Sequence, residues 1–204
     1  STDVALRRPR LAQCCPAHRL PDPTTLLLPE AEGCGLFLTG CEMTMTEHRE
    51  AEWRALIAAV RQQYHGPVSY NCDKYGEDHV NWWDAVDCIA SSGYYPLKDW
   101  ENQPGPHRKA VSKKYKKPVL FSEAGCMNIT GSSAVPNNWE LKGTRNDLEQ
   151  ADWYSAMFSA CAKRPWVVVL GVWDWPADSD RQRLCRVRTV QQQKLSIVHI
   201  REKF

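Results

Sequence analysis

Two stretches, Gly35-Leu-Phe-Leu-Thr-Gly-Cys-Glu42 and Pro118-Val-Leu-Phe-Ser-Glu123, share one grammar. In each, a short apolar run of strand length ends in a glutamate, and a helix-like pattern follows downstream. A strand that delivers a carboxylate at its C-terminal end, with a helix after it, is how a parallel α/β barrel presents chemically active groups. The chain between the two glutamates has room for three successive strand-plus-helix units.

Outward from these points, 36–40 reads as a first strand, and Thr44 or Thr46 can cap a helix over 47–64. Trp53, Leu56, Ile57 and Val60 recur there at helical spacing and make one apolar face, which Gly66-Pro67 ends. Residues 68–71 form a second strand and 87–92 a third, separated by a polar, tryptophan-bearing stretch. After Gly93-Tyr94-Tyr95-Pro96, a loop through Trp100 leads into a basic helix over 107–115, and 118–121 is the fourth strand. An unusually long loop, 124–144, follows; Asn146 can then cap a helix over 147–162, and 166–172 is a fifth strand suited to burial on both faces. Short helices are expected at 24–32 and 196–204. Strands alternating with helices imply right-handed parallel crossovers.

A chain of 204 residues is one domain, 1–204, with a real core. A net charge of +2 with acids and bases interspersed gives no basic field for nucleic acid, and no apolar stretch is long enough to span a bilayer. The nine cysteines contain no CxxC pair, so neither a structural zinc site nor any other metal is expected, and several fall inside strands as small apolar residues. One sequon, Asn128-Ile-Thr130, matters only in a secretory compartment; a secreted or lysosome-like setting is favoured.

Paired carboxylates on one rim point to cleavage of a glycosidic bond: one protonates the leaving oxygen, and the other attacks the anomeric carbon from about 5 to 5.5 Å away. Trp82, Trp83, Tyr94, Tyr95, Trp100, Trp139, Trp173 and Trp175 fall at or just after strand ends, where flat rings can stack on sugars. Trp53, Trp153 and Trp166 lie inside elements and are expected in the core. No cofactor is needed for this chemistry.

The segments Thr39-Gly-Cys-Glu42, Trp53-Arg-Ala-Leu-Ile57, Val68-Ser-Tyr-Asn71, Trp83-Asp84, Gly93-Tyr-Tyr-Pro-Leu97, Lys117-Pro-Val-Leu-Phe-Ser-Glu-Ala-Gly125, Gln150-Ala151 and Gly171-Val-Trp-Asp-Trp175 together resemble the endo-β-1,4-mannanases of glycoside hydrolase family 113. The resemblance covers about residues 33–176, with 1–30 and 177–195 atypical. It implies strands four to eight of a (β/α)8 TIM barrel, with β-mannan or manno-oligosaccharides as substrate. It also implies Glu42 as acid/base, Glu123 as nucleophile, and Tyr95 as the tyrosine whose hydroxyl holds the nucleophile. Trp173 would form the floor under the sugar, while Asn71, Trp83, Trp100 and Trp139 would line the cleft; Asp84 reads equally as a loop cap. The alternatives are a non-catalytic carbohydrate-binding or scaffold protein and a same-clan enzyme acting on another β-glycan. Five parallel strands leave bare edges, so the strand at 36–40 is expected to be covered, by a missing segment or another chain in preference to residues 1–30.

Overall fold

The computed structural model describes residues 11–13, 34–102 and 106–173. Six strands form one sheet in chain order, every neighbouring pair parallel. They are β1 (Leu11–Gln13), β2 (Leu36–Cys41), β3 (Val68–Cys72), β4 (Ile89–Ser92), β5 (Val119–Ala124) and β6 (Val167–Val172). The helices are α1 (Glu50–Arg61), α2 (Leu97–Glu101), α3 (Pro106–Tyr115) and α4 (Asp147–Ala162). This is a partial (β/α)8 barrel, and all five strands read from the sequence are present. The helices expected at 24–32 and 196–204, and Trp175, lie outside the described residues.

Strand alternation sorts side chains between two faces. Phe37, Val68, Tyr70, Ile89 and Val119 join a core cluster beneath α1, whose Trp53, Ile57 and Val60 supply the buried stripe. Each such side chain contributes about 1.5–3 kcal/mol when removed from water. Phe121 belongs to a second cluster with Tyr95, Trp100 and the α4 residues Trp153, Met157 and Phe158. Leu36, Leu38, Cys88, Ala90 and Leu120 form a third.

Three findings differ from the sequence reading. α1 starts at Glu50, and Arg49 at its N-cap makes no side-chain cap; Thr44 and Thr46 instead sit in a 3₁₀ turn. The edge of β2 is lined by β1, with Leu11 opposite Leu36 and Gln13 opposite Leu38, so residues from the N-terminal stretch, the less favoured cover, pair along it. Between β3 and β4 the chain makes a 3₁₀ turn, Trp83–Ala85, and no α-helix among the described residues; the indoles of Trp82 and Trp83, both 0 % exposed, fill that volume. The α4 cap matches expectation: Asn146 accepts from Glu149 N at 3.1 Å, a contact worth about 1 kcal/mol. Asn128 is buried and donates to Asp147 Oδ1 at 2.8 Å, so the sequon asparagine faces inward in this fold.

No helix among the described residues is long and apolar enough to cross a membrane. None of their His, Cys, Asp and Glu side chains gather in a group of three or more that could hold a metal.

Candidate active site

Glu42 follows β2 directly, and Glu123 is the penultimate residue of β5, so both carboxylates emerge at the C-terminal end of the sheet. The pairing of β2 with β3 shifts register between Leu38 and Cys41, and Glu42 N still reaches Asn71 O at 2.7 Å. Glu42 itself is in the left-handed region, φ 49°, an uncommon state for a residue with a side chain and one that clusters at functional positions.

A buried polar relay joins the two acids. The Ser92 hydroxyl donates to Glu42 Oε1. Asn71 Nδ2 donates to Ser92 Oγ at 3.0 Å and to Cys41 Sγ at 3.1 Å. Cys41 Sγ in turn donates to Glu123 Oε1 at 3.3 Å, and the Ser122 hydroxyl donates to Asn71 Oδ1. Asn71 and Ser92 are completely buried, so the bonds of Asn71 to Ser92 and Ser122 are made away from competing water, while those to Glu42, Cys41 and Glu123 lie at its edge. Asn71 is thus the hub of the site and not an exposed wall of a cleft.

Burial acts on the Glu42 carboxyl. Glu42 keeps an exposed edge, yet the atoms crowding it strip enough hydration to raise its pKa. The Ser92 hydrogen bond opposes that rise, and the charges of Asp73 and Glu123 add to it. Burial, then the neighbouring carboxylates, push the Cys41 thiol up to about 12, so it stays a neutral donor. Glu123 accepts from Tyr94 Oη at 3.2 Å through its other oxygen, and burial raises the Tyr94 phenol so that it keeps its proton.

That contact corrects the sequence reading, which gave the role to Tyr95. Tyr95 is fully buried on the opposite face, donating to Glu77 Oε1 at 2.9 Å and packing its ring against Trp100 at 5.1 Å. The alternation along β4 carries the reason. Cys88 and Ala90 face the third cluster, Ser92 meets Glu42, and Tyr94 continues that face to Glu123. Ile89, Ser91 and Tyr95 point the other way.

The aromatic residues divide similarly. Trp139 is 44 % and Trp173 48 % exposed, and both approach Gly125, two residues after Glu123. Trp139 meets the Tyr94 ring edge-on at 5.8 Å, and Trp173 N donates to Ala124 O at 2.9 Å. Gly125 makes this approach possible: a Cβ there would overlap the Trp173 carbonyl oxygen and lie 3.2 Å from Trp139 Cη2. The loop carrying Trp139 is tied to the start of α4 by Glu149, which accepts from Gly131 N at 3.0 Å and Ser133 N at 2.9 Å. Trp83 and Trp100, expected in the cleft, are core residues, 0 % and 1 % exposed, because their turns lie on the helix-covered side. Asp84 takes a two-pronged bond from Arg54, at 2.8 Å to each oxygen, and caps nothing. Sequence reasoning missed Tyr94 as the partner of Glu123, and also Ser92 and Cys41; the strand parity that places Tyr94 and Ser92 was legible.

The comparisons with known proteins agree with this geometry. A β-1,4-mannanase of glycoside hydrolase family 113, solved as a complex, is 49% identical with a TM-score of 0.72, over 75% of this chain and 49% of that one. The family 113 β-mannanase of Alicyclobacillus acidocaldarius, solved with ManMIm, is 42% identical with a TM-score of 0.72, over 76% and 49%. The chain therefore spans about half the length of these mannanases. A β-glucuronidase of Faecalibacterium prausnitzii, at 19% identity and a TM-score of 0.55 over 74% and 27%, shares the fold alone. No curated protein sequence matches the chain. The family model described as Glycoside Hydrolase Family 113 matches residues 26–190, most of the chain and both glutamates. With these matches and the two rim carboxylates, the chain belongs to glycoside hydrolase family 113.

Proposed function

We propose that this protein is a retaining endo-β-1,4-mannanase, hydrolysing β-mannosidic bonds in mannan-type polysaccharides. Glu42 is the acid/base and Glu123 the nucleophile. The observation that carries this is the relay from Glu42 through Ser92, Asn71 and Cys41 to Glu123, which ties two strand-end carboxylates into one hydrogen-bonded network. An acid must hold its proton near neutral pH and a nucleophile must not, and the raised pKa of Glu42 fits the first role. Donors from Cys41 and Tyr94, one on each oxygen of Glu123, orient the attacking carboxylate. Trp173 and Trp139 offer exposed ring faces for the mannose units on either side of the bond.

In the first step Glu123 attacks the anomeric carbon while Glu42 gives its proton to the departing glycosidic oxygen, forming a glycosyl ester and a free sugar hydroxyl. In the second, Glu42 takes a proton from water, which attacks the same carbon and releases Glu123. The two carboxyls must then lie about 5 to 5.5 Å apart when substrate is bound.

The test compares Glu42→Ala and Glu123→Ala on manno-oligosaccharides and on an aryl mannoside with an activated leaving group. Glu123→Ala loses turnover on both, whereas Glu42→Ala spares formation of the glycosyl ester from the activated substrate. Equal loss in both variants removes the role assignment. Oligosaccharide binding without any turnover by the unmutated chain supports a carbohydrate-binding protein instead.

A further inference from the structure

We infer that Tyr70, backed by Glu47, is a positioning residue that holds Glu42 in place through the main chain of Met43. The inference rests on the role proposed for Glu42 and adds a part of the machinery that touches no sugar.

The backbone at Glu42 turns through the left-handed region, φ 49°, which is unfavourable for a side-chain-bearing residue and persists only where the surroundings over-determine it. The amides on either side of that turn are both held. Glu42 N donates to Asn71 O at 2.7 Å, and Met43 N donates to Tyr70 Oη at 2.8 Å. A main-chain N–H can only donate, so the Tyr70 oxygen accepts there and its single hydrogen is committed elsewhere. It goes to Glu47 Oε1, at 2.7 Å. Glu47 is itself buried, 6 % exposed, with its main-chain carbonyl accepting from Trp82 Nε1 at 2.9 Å; the preceding carbonyl, of Thr46, accepts from Trp53 Nε1 at 2.9 Å.

The segment from Glu42 to Glu47 is therefore clamped at both ends, and the polarity of the clamp is fixed by which groups can donate. The Tyr70 ring packs against both Trp53, at 4.8 Å, and Trp82, at 5.1 Å. Replacing tyrosine by phenylalanine keeps that packing and removes the hydroxyl, and with it the acceptor of Met43 N and the donor to Glu47.

The test follows the titration of the Glu42 side-chain carboxyl by carbon-13 NMR in the unmutated protein, Tyr70→Phe and Tyr64→Phe. Tyr64 is an equally buried phenol whose hydroxyl bonds Cys34 O at 2.6 Å, away from the Glu42 turn, and it controls for loss of any buried hydroxyl. The groups acting electrically on Glu42 are Asp73, Glu123 and Lys74, and neither substitution touches them. Released from its turn, the carboxyl regains water, and Tyr70→Phe lowers its midpoint toward the ordinary carboxylate value, while Tyr64→Phe leaves it unchanged. An unmoved midpoint in Tyr70→Phe, or an equal shift in Tyr64→Phe, overturns the inference. Should Tyr70→Phe not fold, hydrogen exchange of the Met43 amide in the unmutated protein decides: slow exchange supports the clamp, and exchange as fast as that of an unbonded exposed amide overturns it.

A kinetic arm separates this inference from the reading beneath it. On manno-oligosaccharides Tyr70→Phe lowers kcat by roughly tenfold or more with KM unchanged, as expected for a displaced catalytic group. Formation of the glycosyl ester from the activated aryl mannoside is spared. Equal loss on the two substrates overturns the positioning role. If Glu42→Ala itself lost both equally, the mannanase assignment would fail, and the titration would still judge the clamp.

Discussion

Asn71→Ala is the perturbation that loads the site most heavily. The amide donates to Ser92 Oγ and Cys41 Sγ and accepts from Ser122, with Asn71 fully buried and Ser122 8 % exposed. Truncation leaves the Ser122 hydroxyl without its acceptor, which costs about 1–3 kcal/mol, and loses the bond to Ser92, worth about 1 kcal/mol more. The space vacated by the amide adds roughly another 1 kcal/mol as a cavity. A total of about 3–5 kcal/mol places this variant in the severe tail of single substitutions. Urea unfolding of the unmutated protein, Asn71→Ala, Ser122→Ala and the double variant measures it. Removing Ser122 as well deletes the orphaned hydroxyl, so the double variant should be less destabilised than the two singles added, by about 1–2 kcal/mol. A loss below about 1 kcal/mol, or strict additivity, refutes the hub. The hub serves both carboxyls, so glycosyl ester formation from the activated aryl mannoside should also slow in Asn71→Ala, unlike in Tyr70→Phe.

Other outcomes follow from the same geometry. Trp173→Ala and Trp139→Ala should weaken manno-oligosaccharide binding, seen by calorimetry, with little loss of stability, whereas Trp83→Ala and Trp100→Ala should cost about 3–5 kcal/mol of stability because their rings fill the core. Gly125→Ala forces the Trp173 carbonyl away and breaks the bond from Trp173 N to Ala124 O, so both stability and kcat should fall, by about 2–4 kcal/mol for the former. Glu42 and Glu47 both have pKa values raised above 4.5, mainly by burial, so the folded state binds more protons than the unfolded one above that pH. Their contribution to stability is full below pH 4.5 and is lost as pH rises through the folded values. In Glu47→Gln the fall of the thermal midpoint over that window should be shallower, and an unchanged slope would contradict the burial argument.

The strands were legible because each is a short apolar run closed by glycine, proline or a polar residue, and a parallel sheet buried on both faces needs such runs. Glu42 and Glu123 were legible as candidates because a carboxylate directly after such a run lands on the rim. The choice between Tyr94 and Tyr95 turned on side-chain parity along β4, which local composition does not express but alternation from Ala90 onward does. Trp83 and Trp100 were misread because a tryptophan near a strand end looks the same whether its turn folds toward the rim or back over the helix layer. The left-handed turn at Glu42 and the Tyr70 clamp depend on hydrogen bonds between segments far apart in sequence, and no local pattern announces them. β1 escaped notice because a three-residue strand carries too few positions to show a period.

The two indole N–H groups that hold the carbonyls of Thr46 and Glu47 come from Trp53 and Trp82, which stack on each other at 4.9 Å inside the first core cluster. Rim loops in barrels commonly open on their own, ahead of the sheet beneath them. Here the loop bearing Glu42 is fastened to the wall of the barrel itself, so the bonded amides of Glu42 and Met43 should exchange with solvent only when that wall comes apart. The Met43 amide should then be among the slowest to exchange, with the Glu42 turn melting as one cooperative unit with the strands around it.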